Sequence, residues 1–299
     1  MSATPHADFG RVRVFFGEKN GKYPDGNQVI VRGTDTRAAF DTPLVANRIG
    51  EELESAELVV LGHVHEDHMA GLHRLPHARV FAHESDVEAA RSWSGLAAHY
   101  GLSGPVVEAM HDKIRREFHY APRPDAIGYR DGEVWELGAV RVRAVHMPGH
   151  TAGHCVLVVE PEGVAFIGDI DLSGFGPYYG DASSDLGAFR RTLARLPELD
   201  ASVWITSHHR GAYADRAAFL DALRAYAAKI DERGERLVEM VRDRPRTLEE
   251  LAQSRLLYPE DYDEVWILDA ERRTIVQHLE ELAAQRRVAI DDENRYHAR

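Results

Sequence analysis

Three histidines and an aspartate fall within six residues, His63-Val64-His65-Glu66-Asp67-His68, directly after the apolar run Leu58-Val59-Val60-Leu61. If the two-residue period of a strand continues past Leu61, His63 and His65 point to the same side. Asp67 and His68 then fall on the following turn and can face the neighbouring side. One short loop thus offers ligands to two adjacent cations. Imidazole and carboxylate without thiolate suit Zn²⁺, Fe or Mn²⁺ held for chemistry, whereas closed structural zinc sites lean on cysteine. The chain has 17 histidines, so a histidine-rich surface loop is the alternative. Such a loop has no reason to place these side chains in this order at a strand end. By strict alternation Glu66 points away from His65 and is expected to face solvent.

The elements that must carry this loop are strand-sized apolar runs alternating with helical patterns. Residues 11–16 and 27–31 read as opening strands, with Gly17, Gly21, Pro24 and Gly26 marking the turn between them. Strands follow at 58–61 and 78–82. Residues 84–119 read as helix, broken in two by Gly101, Gly104 and Pro105, with Trp93, Leu96, Tyr100, Val107, Met110, Ile114 and Phe118 facing inward. A turn at 130–133 leads to strands at 134–137 and 140–145, and later apolar runs precede Asp169 and His208. Loops at one end of a two-sheet sandwich converge, so ligands distant in sequence can meet there.

Composition fits a soluble enzyme. The chain has 299 residues, 44% of them apolar and 28% charged, enough for a large core. Nothing approaches the roughly eighteen uninterrupted apolar residues of a membrane span. Residues 1–8 lack the charged and apolar regions of a signal peptide, and Cys155 is the single cysteine, so a reducing, cytoplasmic setting is expected. Cys155 lies in a strand-like run and reads as a buried, inert thiol. A net charge of −13 with scattered arginines opposes nucleic-acid binding. The expected partner is a small-molecule substrate, with no membrane and with a homodimer allowed.

The HxHxDH pattern resembles the signature of the metallo-β-lactamase superfamily, and the family's other motifs stand in order. Pro148-Gly149-His150-Thr151-Ala152-Gly153-His154 is similar to its third motif, Gly168-Asp169 to its fourth and Ser207-His208-His209 to its fifth, while Asp41 matches the first. The resemblance covers roughly residues 10–215 and implies an α+β fold, the four-layer αββα sandwich. It also implies a ligand set: His63, His65 and His150 for one metal, Asp67, His68 and His208 for the other, with Asp169 bridging. His209 rivals His208, because many relatives have a histidine followed by glycine there. Asp41 is expected to orient a ligand imidazole, and His154 to be a packed or supporting histidine.

On this reading two divalent metals, zinc first with Fe or Mn as alternatives, share a water whose pKa falls from about 15.7 to roughly 7. That hydroxide, held beside Asp67 and Asp169, would attack an ester, thioester or lactone carbonyl. The glycine- and aromatic-rich stretch 170–181 reads as a loop lining the metal cleft. Tyr178 or Tyr179 could contact substrate there or simply plug the rim, and Asp171 is either an extra group near the metal or solvent-facing.

Residues 216–299 form an expected second, helical domain after a catalytic domain at 10–215. Phe219, Leu220, Leu223 and Tyr226 recur at helical spacing, Thr247 to Glu250 reads as a capping box, Ile275, Leu279 and Leu282 line a later helix, and 287–290 suits a strand. This layout resembles the winged-helix appendage of a β-lactamase-like branch that includes an endoribonuclease. From Asp231 onward twelve arginines face eighteen carboxylates, so packing over the active-site rim or a dimer contact fits better than reading DNA.

The wording around His150 is similar to hydroxyacylglutathione hydrolases, and lactonases share the ligand set. No basic cluster stands out to receive a glutathione carboxylate. Two other classes stay open: a nuclease using the same two metals, and a mononuclear iron enzyme like the persulfide dioxygenases. Nothing marks a secreted chain, which disfavours a β-lactamase.

Overall fold

The computed structural model describes residues 4–262 and 264–299. Seven strands form a first sheet in chain order: β1 (His6–Phe9), β2 (Val12–Phe15), β3 (Gln28–Arg32), β4 (Arg37–Phe40), β5 (Leu58–Val60), β6 (Arg79–His83) and β7 (Ile127–Tyr129). Pairing is antiparallel from β1 to β4 and parallel from β4 to β7. The second sheet holds β8 (Val134–Glu136), β9 (Arg141–His146), β10 (Cys155–Glu160), β11 (Val164–Phe166), β12 (Val203–Ile205) and β13 (Ala212–Tyr213) in the order β13-β12-β11-β10-β9-β8. All its pairs are antiparallel except β11 with β12.

Because successive side chains point to opposite faces, each buried strand feeds two cores. On β3, Val29 and Val31 enter the core between the sheets while Ile30 enters the outer one. On β10, Leu157 and Val159 face inward between the sheets, and Val156 and Val158 face the helices beyond. Phe40 and Phe166 meet across the middle with ring centroids 5.8 Å apart. A side chain of that size, fully buried, contributes about 1.5–3 kcal/mol. The outer face of the first sheet is covered from α1 (Glu51–Glu54) and by α2 (Val87–Arg91), α3 (Trp93–Tyr100) and α4 (Pro105–Glu117), through Leu53, Ala90, Leu96 and Ile114. The second sheet is covered by α5 (Leu186–Arg195) and the first half of α6 (Arg216–Arg242), where Trp204 stacks on Phe219 at 4.2 Å. The four layers are helix, sheet, sheet, helix.

The helical stretch after β6 is three helices rather than the two expected. Ser92 takes an extended conformation and caps α3 by accepting the Gly95 N–H at 3.0 Å, which separates α2 from α3. Val107 and Trp93 are half-buried, whereas Leu96, Tyr100, Met110, Ile114 and Phe118 are buried.

Beyond α6 come α7 (Leu248–Gln253), α8 (Ile267–Ala284) and a hairpin of β14 (Val288–Ile290) and β15 (Tyr296–Ala298). The Thr247–Glu250 capping box is formed. Leu237, Val238 and Val241 of α6 pack with Leu251, Ile275, Leu279, Leu282 and Val288 in a separate core. The expected division at 215/216 falls at the N-cap of α6, and that one helix then runs through both cores. Among the described residues no helix is long and apolar enough to cross a membrane.

Candidate metal centre

Each motif residue leaves the end of a buried strand. Asp41 follows β4, the His63–His68 loop follows β5, His150 follows β9, Asp169 follows β11 and His208 follows β12. The turns that aim them are specific. Gly168 sits at φ +56, and a Cβ there would meet His154 Nε2 at 2.6 Å, so only glycine lets the chain turn into Asp169. The loop carrying His150 is tied to buried Asp86, which accepts the Thr151 hydroxyl at 2.7 Å and the Gly153 N–H at 2.8 Å.

Two clusters result. Donor atoms of His63, His65, His150 and Asp169 lie within 4.8 Å of one another, and so do those of Asp67, His68 and His208. The Asp169 carboxylate faces both. Its Oδ2 is 3.4 Å from His150 Nε2 and 3.8 Å from His63 Nε2, and its Oδ1 is 3.2 Å from His68 Nε2 and 3.4 Å from His208 Nε2. All of these ligand candidates except Asp169 are buried.

Hydrogen bonds on the far side of the rings set their tautomers. His68 Nδ1–H donates to Asp41 Oδ2 at 2.7 Å, and Asp41 Oδ1 accepts the Gly62 N–H at 2.7 Å. His65 Nε2–H donates to Asp181 Oδ2 at 2.9 Å, His150 Nδ1–H to the Tyr178 carbonyl at 3.0 Å, and His208 Nδ1–H to the Gly21 and Asp25 carbonyls at 2.9 Å each. The nitrogens left over carry lone pairs that point into the centre. His65 Nδ1 and His150 Nε2 lie 3.2 Å apart with both ring protons committed elsewhere. Two imidazoles on a tetrahedral zinc have nitrogens about 3.3 Å apart. His63 Nε2, His68 Nε2 and Asp169 Oδ1 are buried without a hydrogen-bond partner. Orphaned acceptors at such separations are what a cation would satisfy, so the residues fit a metal.

The electrostatics agree. Burial opposes charge on His208, yet Asp169 and Asp67 outweigh it and raise its pKa to about 10. Burial likewise opposes charge on His68, and Asp67, Asp169 and Asp41 drive its pKa well above the ordinary value. Burial and the neighbouring His68 push His63 well below it. Against burial, His208, His68 and His63 hold the Asp169 carboxyl well below the usual range. The carboxylates draw positive charge into the centre, as protons when no metal is there.

One residue, Glu66, behaves otherwise than the sequence suggested, and the structure places the others that the sequence left open. Glu66 is buried, not solvent-facing, because a 3-10 turn at Glu66–His68 ends the strand alternation. Its carboxylate accepts the Tyr100 hydroxyl and, at 3.1 Å, the Tyr23 hydroxyl. His208, not His209, joins the cluster; His209 takes φ +60 and sits 3.5 Å from Asp171. Asp171 lines the cleft, and burial pushes its carboxyl up to about 6. His154 donates to the Met147 carbonyl at 3.0 Å and accepts the Asp169 N–H at 3.3 Å, so it steadies the turn. The Tyr178 ring lines the cleft with its hydroxyl donating to Asp181 at 2.9 Å, whereas Tyr179 is buried beneath it against His278. Cys155 is buried, with its thiol pushed up to about 12 by burial.

The centre floors a cleft of about 820 Å³, one side of which comes from Tyr258, Tyr262, Trp266 and Arg273 of the C-terminal region. The sequence put residues 170–181 along the cleft and offered the C-terminal region as a cover for its rim, but the Asp181–His65 contact, the tyrosine partners of Glu66 and the rings of this wall lie at no spacing that marks them.

Comparison with known proteins bears on the same residues. The family model of the Metallo-beta-lactamase superfamily matches residues 33–208. The hydroxyacylglutathione hydrolase of Methylococcus capsulatus is 30% identical over 76% of this chain and 80% of its own length. The acyl-coenzyme A thioesterase MBLAC2 of Bos taurus is 29% identical over 51% of this chain, and an atrochrysone carboxyl ACP thioesterase of Claviceps purpurea is 26% identical over 62%. The chain spans only 61% and 52% of those two relatives. Among solved structures, a metallo-beta-lactamase family protein of Thermus thermophilus superposes with a TM-score of 0.68 at 28% identity, covering 92% of this chain and 94% of that one. A beta-lactamase domain protein of Burkholderia ambifaria shares the fold, with a TM-score of 0.66 at 17% identity over 100% of this chain and 94% of that one. A family model spanning more than half of the chain, and strands that deliver its motif residues to one centre, place this protein in the Metallo-beta-lactamase superfamily.

Proposed function

We propose that the protein is a binuclear metal-dependent hydrolase acting on an acyl thioester, or a related ester or lactone, of a small molecule. The observation that carries this reading is the Asp169 carboxylate, which turns one oxygen to His63 and His150 and the other to His68 and His208. Asp67 completes the second set, 3.1 Å from His208 Nε2. The names of two relatives, both thioesterases, support the thioester among the three.

Divalent cations bound there, zinc first and Fe or Mn as alternatives, would supply Lewis acidity and lower the pKa of water toward neutrality. The chain's own residues do the positioning. Asp41, Asp181 and the Tyr178, Gly21 and Asp25 carbonyls each hold one ring nitrogen of a ligand, so the other points inward without rearrangement. The net charge of −13 and the carboxylates lining the cleft oppose a polyanionic phosphodiester.

Elemental analysis of the purified protein, with His68→Ala beside it and an acyl-thioester panel, tests the proposal. Two metal equivalents falling toward one in the variant, together with thioester turnover, support it. A single iron unchanged in the variant would overturn the binuclear centre and favour oxygen chemistry.

A further inference from the structure

Five aromatic rings form a continuous path from the mouth of the cleft to the metal centre. Tyr262 stacks on Tyr258 at 5.5 Å, Tyr258 meets Trp266 edge-on at 5.3 Å, and Trp266 meets Tyr178 edge-on at 6.3 Å. Phe175 joins from the side, 5.3 Å from Tyr258, and the inner end is Tyr178, whose ring lies 5.9 Å from that of His150. All five line the same cavity of about 820 Å³. Three of them, Tyr258, Tyr262 and Trp266, belong to the C-terminal region and not to the strand-end loops that carry the metal ligands.

We propose that this ring-lined arm is a subsite for an aromatic acyl group, resting on the acyl-hydrolase reading above. An acyl carbonyl placed at the centre has its substituent directed along the rings if its leaving group exits on the other side. Lys22, Tyr23 and Pro24 are exposed where they line the cleft near His208, whose ring lies 6.5 Å from that of Tyr23, and this edge gives a leaving group a route to solvent. Along the ring-lined arm the cations are already engaged. Lys113 pairs with Glu264 at 2.9 Å and Glu117 at 3.1 Å, and the Arg273 guanidinium donates to the Gly101 and Gly180 carbonyls. Among the described residues, both cations of this arm are engaged, so an anionic tail meets paired charges there, while a flat apolar group finds ring faces and edges. Offset and edge-to-face pairing favours an aromatic ring over a saturated group of equal area by roughly two- to tenfold per pair.

The test compares N-acetylcysteamine thioesters of phenylacetate, cyclohexylacetate and acetate on the metal-loaded protein. Phenyl and cyclohexyl match in size and differ in aromatic character. The subsite predicts at least a fivefold higher kcat/KM for phenylacetyl over cyclohexylacetyl, carried by KM. Tyr258→Leu, which removes the central ring, should bring that ratio close to one, and Tyr258→Phe, which keeps it, should restore the preference. A wild-type ratio near one, or a ratio unchanged in Tyr258→Leu, would overturn the subsite. Calorimetric binding of 2-naphthylacetamide reads the arm without turnover: at least fivefold weaker binding in Tyr258→Leu supports it, and equal binding refutes it. If neither these thioesters nor the matching ester and lactone are hydrolysed, the acyl-hydrolase reading fails by itself, and calorimetry still decides the subsite.

Discussion

His65 Nε2 lies 2.9 Å from Asp181 Oδ2, which ties a candidate ligand just after β5 to a residue 116 positions further along the chain. The other Asp181 oxygen accepts the Tyr178 hydroxyl at 2.9 Å, and the Tyr178 carbonyl orients His150 at 3.0 Å. Two rings of one cluster are thus aimed by a single loop. That loop is gripped from below by the C-terminal helices: Arg233 donates to the Phe175 and Pro177 carbonyls, and Gln277 to the Tyr179 carbonyl at 2.9 Å. The appended helices therefore support the centre as well as walling the cleft.

Asp181→Asn removes the charge that fixes His65 while keeping the shape. Loss of such a supporting partner costs metal affinity roughly 10- to 100-fold. Competition with a chromophoric chelator should show one metal equivalent weakened by that factor and the other little changed. Equal affinity in variant and wild type would show that the contact does not orient His65.

The adjacent histidines His208 and His209 should separate cleanly. His208→Ala is expected to lose a metal equivalent and most activity, whereas His209→Ala, whose ring is 3.5 Å from Asp171 and outside the cluster, should keep its full metal content. Metal analysis of the two variants decides, and loss of metal in His209→Ala alone would reverse the assignment.

Glu66 holds two tyrosine hydroxyls at the edge of the centre. Replacing it by Leu leaves the buried Tyr100 hydroxyl without its acceptor, which costs about 1–3 kcal/mol. Chemical denaturation should show that loss, and Glu66→Gln should recover much of it by still accepting a hydrogen bond. A Leu variant as stable as wild type would mean that Glu66 contributes nothing to the fold.

His278 links α8 to the cleft loop through the Tyr179 hydroxyl at 2.8 Å. Burial, then the charges of Arg233 and Arg190, lower its pKa to about 3, against 6.5 in the unfolded chain. Between those values the unfolded state binds the extra proton, so stability is full above pH 6.5 and declines as pH falls toward 3. His278→Gln, compared with wild type at the same metal load, should show a shallower fall of Tm below pH 6.5. Identical slopes would assign the acid sensitivity to other groups.

The two-sheet sandwich was legible because its signals are local. Short continuous apolar runs announce β3, β5 and β10, and the motif spacing places His63, His65, Asp67, His68, His150 and Asp169 at strand ends before any contact is known. The same local rule misplaced Glu66, since a 3-10 turn begins where alternation was extrapolated. It also left His209 as a rival to the favoured His208, neighbours of the same type that a backbone φ of +60 at His209 sends apart. Asp181 beside His65, Asp86 beside Thr151 and the Tyr258–Trp266 wall over the centre join segments far apart in the chain. The chain alone therefore determined which side chains could bind a metal and which strands carry them. Only tertiary packing decided how each ring is oriented and what encloses the substrate, because those contacts depend on elements that meet after the chain has folded.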